Sequence, residues 1–210
     1  MTTDVEAEPA SAAVLFGERL DLARAFSSAL AREGEERGLI GPLEPPRLWT
    51  RHVLNCAVVA PLLVAGGTVG DVGSGAGLPG LVLAIARPDV RFVLIEPMER
   101  RVAWLREQRE ALGLENVEVL RARAEDARLD APLEQVTARA VSAFRKLIPI
   151  TAPLVRDGGE LVLMKGANAD AEIAAAGKEL RRFHIRDARV EILGTGVVDE
   201  VTRVIRATVR

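Results

Sequence analysis

Two rhythms of apolar and polar positions divide the chain. Over the first third, apolar residues recur at helical spacing, and Leu15, Leu22, Phe26 and Leu30 fall on one face of a helix that ends between Gly34 and Gly41. The Pro-rich joint PLEPPRLW interrupts that pattern. A second helical run follows from Arg47 to Ala65, with Leu48, Val53, Ala57 and Ala60 on its buried side. Residues 1–65 thus predict a frayed tail, from Thr2 to Ala12, and a helical cap. From Thr68 onward short apolar runs alternate with helical patterns, and Val69–Val72, Arg91–Ile95, Val117–Leu120, Gln135–Arg139 and Glu160–Met164 read as strands. Alternation of this kind predicts a parallel sheet with helices on both faces. Val190–Leu193 and Val201–Val209 are joined by GTGVVDE, which has no room for a crossover helix, so an antiparallel hairpin should close the sheet. Residues 66–210 are therefore expected to form one α/β domain of seven strands.

Composition narrows what such a domain does. The chain has 210 residues, enough for one good core, and a formal net charge of −2. No overall positive field draws nucleic acid or anionic lipid, so a polyanion partner must be met by local clusters. Cys56 is the only cysteine, which excludes an internal disulfide and a Cys-rich zinc site and fits a reducing cytosol. The acidic N-terminal stretch lacks the basic and apolar regions of a secretion signal, and no apolar run reaches spanning length. A cytoplasmic protein with no membrane partner, acting as a monomer and binding no metal, is expected.

The chemistry concentrates in DVGSGAGLPG, Asp71 to Gly80, which follows the first strand and opens a helix. Small residues there permit a tight turn and let a ligand lie against backbone N–H groups. Gly75, Gly77 and Gly80 satisfy G-x-G-x-x-G, a weak signal alone that gains weight between a strand and a helix. Glu96 ends the next strand about 20 residues beyond Gly75, the place from which a carboxylate accepts both ribose hydroxyls of an adenosine. Gly73, Ser74, Gly75, Gly77, Leu78 and Glu96 are thus candidate cofactor-binding residues. Asp71 places a carboxylate where a pyrophosphate would be repelled and a cationic sulfonium ligand with a free amino group tolerated. With the terminal hairpin, these features resemble class I methyltransferases that use S-adenosyl-L-methionine. The alternative is a nicotinamide enzyme, for which no His or Lys constellation is evident.

A closer resemblance rests on DVGSGAGLPGLVLAIARP, IEPMERRVAWL, RARAED, TARAVSAF and LMKG in this order and spacing. These segments are similar to those of the ribosomal small subunit methyltransferase G family, also called glucose-inhibited division protein B. The likeness covers Leu39 to about Ile173. Many members carry Asn-Leu-Thr where this chain has GLIGP. The resemblance implies a Rossmann-like class I fold with an N-terminal helical cap, and methyl transfer from S-adenosyl-L-methionine to N7 of a guanine in the decoding-region loop of 16S rRNA within the bacterial small ribosomal subunit. Loss of that methyl group is associated with low-level streptomycin resistance. It also implies adenine held at Ala124 and Glu125, and a role for Arg139 beside cofactor or target.

N7 of guanine already carries an in-plane lone pair, so no base need remove a proton before attack and positioning supplies most of the acceleration. The chain accordingly lacks the Pro-Cys loop of C5-pyrimidine methylation and the Asn/Asp-Pro-Pro-aromatic loop of exocyclic adenine methylation; Arg139-Ala140-Val141-Ser142 follows the fourth strand instead. Arg139 and Lys165, at the ends of the fourth and fifth strands, are the candidates for catalytic alignment. Arg51, His52, Arg145, Lys146 and Lys165 are the candidates for RNA contact, with Arg100, Arg101 and the run Arg181, Arg182, His184, Arg186 as further cationic positions. Trp49 and Phe144 are the candidates for base stacking, Trp104 and Cys56 the candidates for packing. A small-molecule methyltransferase shares every cofactor feature, and a non-catalytic RNA-binding module remains an alternative.

Overall fold

A computed structural model describes residues 5–139 and 142–210. Helices α1 (Ser11–Phe16) and α2 (Leu20–Glu33) form the start of the cap, broken at Gly17 instead of running as one helix. Helix α2 buries Ala23, Phe26, Ala29 and Leu30, the apolar face that the sequence marks. The second cap helix departs from expectation. Leu48–Leu54 is a π-helix, followed by one short α-turn, α3 (Asn55–Ala57), and a 3₁₀ turn at Ala60–Leu62. Pro61 offers no N–H to continue the α-ladder. The wide π-turn sends Leu48, Trp49, His52, Val53 and Leu54 inward together, so a polar ring enters an otherwise apolar interior.

The sheet consists of β1 (Thr68–Val72), β2 (Arg91–Ile95), β3 (Val117–Leu120), β4 (Leu133–Arg139), β5 (Val155–Lys165), β6 (Arg186–Leu193) and β7 (Thr202–Thr208), in the order β3-β2-β1-β4-β5-β7-β6. The first five are parallel, whereas β7 runs antiparallel to both β5 and β6. Crossovers are made by α4 (Gly80–Ala86), α5 (Glu99–Ala111), α6 (Phe144–Thr151) and the pair α7 (Ala169–Ala174) and α8 (Gly177–Arg182). Strand order reverses between β1 and β4, and in open parallel sheets that switch point leaves a crevice at the carboxyl ends.

Alternate residues of each strand feed different cores. Val69, Phe92, Leu94, Val162 and Val204 pack with α4, Trp104 and the cap. Val72, Val93, Ile95, Val136, Leu161, Leu163 and Ile205 pack with α6 to α8. The cap therefore shares one continuous core with a face of the sheet. Polar ties reinforce the join. Arg87, at the end of α4, donates to the carbonyls of Ala60 and Leu63 at 2.7 and 2.9 Å, and Thr202 Oγ1 donates to Asn55 O at 2.8 Å. On the cap face β4 carries Gln135, Thr137 and Arg139, so a polar seam runs under the cap and ends at the crevice.

Candidate functional site

The loop after β1 is shaped by backbone that only small residues adopt. Gly73, Gly75 and Gly77 all have positive φ, at 73°, 56° and 91°. The Ser74 hydroxyl donates to Asp71 O at 2.8 Å, and Gly73 N donates to Ile95 O at 2.8 Å. Gly80 starts α4 against β1: a Cβ there would stand 2.5 Å from Asp71 Oδ2 and 2.4 Å from Leu94 Cδ2. Trp104, fully buried on α5, donates its indole N–H to Ala76 O at 2.9 Å and so pins the loop from behind. Its packing role was legible in the sequence; its hydrogen bond to the loop was not.

Glu96 sits at the end of β2, 2% exposed, with Oε2 accepting Gly75 N–H and Oε1 accepting Met98 N–H, each at 2.9 Å. Each carboxylate oxygen retains a lone pair for a further donor. The loop and Glu96 border a crevice of about 560 Å³ together with Leu39, Ile40 and Gly41 from the cap and Arg101, His52 and Arg139. The cap wall exists because Gly34 O accepts both Leu39 N–H at 2.7 Å and Ile40 N–H at 3.2 Å, folding the GLIGP segment back over the loop. Nothing in the apolar periodicity signals that placement. An adenosine-bearing cofactor fits these residues: the carboxylate is held at the pocket's edge, the loop offers close backbone approach, and Arg101 Nε is buried without a partner among the described residues.

Asp71 occupies a different place from the one expected of a group meeting the ligand directly. It is wholly buried beneath the loop, where Oδ2 accepts Gly80 N–H at 3.0 Å, and it does not line the crevice. Among the described residues Oδ1 has no partner, and neither has Thr137 Oγ1 opposite it in register on β4. Burial pushes the Asp71 carboxyl up to about 7, against the pull of Ser74 and Gly80. Ala124 and Glu125 form the turn after β3; Ala124 is buried in the α6–α8 core and Glu125 is exposed, and neither lines the crevice.

A second crevice, of about 590 Å³, opens at the ends of β4 and β5 and is lined by Arg51, His52, Asn55, Arg139, Lys165 and Glu172 among others. His52 and Arg139 border both crevices. Arg139 Nη2 lies 2.8 Å from His52 Nδ1, His52 Nε2 lies 2.6 Å from Glu44 Oε2, and Arg139 Nη1 donates to Arg51 O at 3.4 Å. Burial and the neighbouring Arg139 charge hold the His52 imidazolium below its usual range, outweighing the Glu44 carboxylate. The ring is therefore neutral at pH 7. Lys165 is not the free cation that phosphate contact calls for. Its Nζ, nearly buried, is taken up by Glu172 Oε2 at 2.9 Å and by the Ser142 carbonyl.

The remaining candidates separate by exposure. Arg145 and Lys146 project from α6 into solvent, as an RNA contact requires. Phe144 and Trp49, expected as stacking surfaces, are 0% and 5% exposed and belong to the cores, because both sit on the inward faces of short helices. Arg181 and Arg182 on α8, His184 in the turn after it and Arg186 on the edge strand β6 line neither crevice. Ala140 and Val141 of the Arg-Ala-Val signature lie outside the described residues. Glu44, Asn55, Glu172 and Glu200 line the crevices without having been singled out in the sequence, where single Glu and Asn residues carry no pattern.

Comparison with known proteins gives a consistent picture. The family described as rRNA small subunit methyltransferase G matches residues 19–200. Ribosomal RNA small subunit methyltransferase G of Leifsonia xyli subsp. xyli is 73% identical over 210 residues, covering 100% of both chains. The protein of the same name from Clavibacter sepedonicus is 68% identical over 207 residues, 99% of this chain and 98% of that one. Among solved structures, M. jannaschii TYW2 in complex with AdoMet superimposes with a TM-score of 0.58 at 17% identity, covering 75% of this chain and 74% of that one. A SAM dependent methyltransferase from Aquifex aeolicus gives 0.52 at 23% identity, covering 70% and 85%. At such identities these structures bear on the fold alone, and they share it.

Proposed function

Since the chain belongs to the rRNA small subunit methyltransferase G family, we propose that it moves a methyl group from S-adenosyl-L-methionine to N7 of a guanine in the decoding-region loop of 16S rRNA, within the small ribosomal subunit. The observation that carries this reading is the pair of crevices joined at Arg139 and His52, one floored by the glycine loop and Glu96 and the other bordered by cations and carboxylates at the ends of β4 and β5. When bound, the cofactor supplies an electrophilic methyl group on a sulfonium centre. The side-chain-free surface of the Gly73–Gly77 loop would let it approach closely, the lone pairs left on the Glu96 carboxylate would accept its hydroxyls, and the Leu39–Gly41 wall would limit its exposure to water. Asp71 acts from below by capping α4 at Gly80 and so holding the loop's shape.

Side chains in the second crevice agree with a nucleophile that needs no deprotonation. Both ring nitrogens of His52 are engaged and Lys165 is paired; behind the crevice, in the cap core, burial pushes the Cys56 thiol up to about 11, which removes it as a nucleophile. What these residues supply is alignment. Arg145 and Lys146, exposed on α6 immediately after the crevice residues Ser142 and Ala143, suit phosphate contact. Among the described residues no helix is long and apolar enough to cross a membrane. The test is transfer of labelled methyl from S-adenosyl-L-methionine to purified small subunits, read by borohydride–aniline cleavage at the labelled guanine. Cleavage at one guanine of the decoding region is expected. Incorporated methyl without cleavage overturns the N7 assignment, and transfer to small molecules but not to subunits overturns the RNA target.

A further inference from the structure

We propose that Glu44 and His52 form a positioning relay that holds Arg139 in the wall shared by the two crevices, so that the cap sets the geometry in which cofactor and target base meet. The inference rests on the methyltransferase reading above. It starts from a chain of contacts that crosses from cap to sheet: Glu44 Oε2 to His52 Nε2 at 2.6 Å, and His52 Nδ1 to Arg139 Nη2 at 2.8 Å. A guanidinium only donates and a carboxylate only accepts, so the ring between them must accept at Nδ1 and carry its single proton at Nε2. The ends of the chain are themselves held. Arg47 Nη2 donates to Glu44 Oε1 at 2.7 Å, and Arg139 Nη1 donates to Arg51 O at 3.4 Å.

The wide turn of the π-helix is what points His52 inward at this place, and π-turns recur where a side chain must be aimed. Glu44 belongs to the same cap segment as the Leu39–Gly41 wall and itself lines the cofactor crevice. The relay therefore ties one wall of the cofactor crevice to the cation that borders the target crevice. The charged groups facing His52 are Glu44 from the joint before the π-helix, Arg51 beside it and Arg139 from β4, with the titratable Asp71 and the neutral Cys56 thiol beyond Arg139. A second proton on His52 would set an N–H against the Arg139 N–H, and the relay would come apart.

Four measurements test it, using the full chain, S-adenosyl-L-methionine and purified small subunits. His52 and His184 are the only histidines, so nitrogen NMR assigns the His52 ring from one substitution. The neutral Nε2–H tautomer is expected at pH 7 in the parent, and a tautomer mixture in Glu44→Ala. That variant should lose about tenfold or more in kcat, the loss expected of lost alignment. Glu44→Gln, which keeps an oxygen acceptor, should return kcat to within about threefold of the parent. Parent kcat should fall as pH drops below the usual histidine range of about 6.5, and His52→Gln should lack that acid limb. An Nδ1–H or doubly protonated ring at pH 7, unchanged kcat in Glu44→Ala, or an acid limb that persists in His52→Gln overturns the relay. Should Glu44→Ala fail to fold, the tautomer of the parent and the limb in His52→Gln decide. If the parent leaves small subunits unmethylated, the substrate reading fails by itself, and the tautomers of parent and Glu44→Ala still decide the relay.

Discussion

The two crevices meet at the same histidine and arginine, yet they are stabilised in opposite ways. In the crevice beside the glycine loop, backbone does the work. Gly75 N–H and Met98 N–H converge on Glu96, and Asp71 Oδ2 accepts Gly80 N–H, so the pocket's shape follows from local chain geometry. The crevice at the ends of β4 and β5 is assembled from side chains far apart in sequence. Glu172 of α7 accepts both Lys165 Nζ and Phe144 N–H, and Thr202 of β7 ties down Asn55. A cofactor of fixed shape suits a preformed backbone cradle, whereas a base presented on a large RNA suits a mouth of long, paired side chains that exchange partners. The difference implies that substitutions beside the loop act on folding and cofactor affinity, and those beside α6 and α7 on RNA docking.

The sharpest challenge to that division is Gly80→Val. Its Cβ would press on Asp71 Oδ2 and Leu94 Cδ2, and overpacking of this kind costs about 3 kcal/mol. Urea unfolding should show the loss and calorimetry should show no cofactor binding; a stable variant that binds normally would mean that the backbone cradle is not rigid. Glu96→Ala should cost about 2 kcal/mol of cofactor affinity, about thirtyfold in Kd, while leaving RNA docking intact. Equal binding by parent and variant would move the pocket elsewhere.

Asp71 tests the loop through pH. Its carboxyl is raised from 3.8 to about 7, so between those values the folded state holds a proton that the unfolded state releases. The associated stabilisation is full below about pH 4 and lost as pH rises through 7. Asp71→Asn keeps an acceptor for Gly80 N–H and never ionises. Relative to the parent it should gain about 2–3 kcal/mol of stability on going from pH 5 to pH 8, measured by urea titration at both. An unchanged difference would mean that Asp71 is not the buried proton carrier. The smallest effect belongs to the opposite crevice: Arg145→Ala should weaken subunit binding mildly and reduce the salt dependence of binding by about 1 in slope, without altering cofactor affinity. An unchanged slope removes α6 from the RNA surface.

How legible each region was follows from the same contrast. Strands β2 and β3 match the expected runs residue for residue, and the closing hairpin was visible because GTGVVDE cannot hold a crossover helix. The glycine loop and Glu96 were visible because a tight strand-to-helix turn and a strand-end acid are written in neighbouring residues. The cap's second helix was misread because apolar spacing does not distinguish an α-helix from a π-helix when the inserted inward residue is a histidine. Lys165 looked like a free cation because Glu172 becomes its partner only through the β5–α7 turn, and Phe144 and Trp49 looked available because exposure is decided by what packs over them.

By itself, then, the sequence determined the strand runs, the parallel sheet with its antiparallel closing hairpin, the glycine turn after β1 and the acid beside it, since each depends on backbone preferences and apolar spacing within a short window. Only the tertiary structure decided that Asp71 lies under the loop and not in it, that GLIGP walls the crevice, and that Glu44, His52 and Arg139 stand in line. Those outcomes depend on which charges meet out of water, and a buried charge or hydrogen bond has no partner until the cap closes on the sheet.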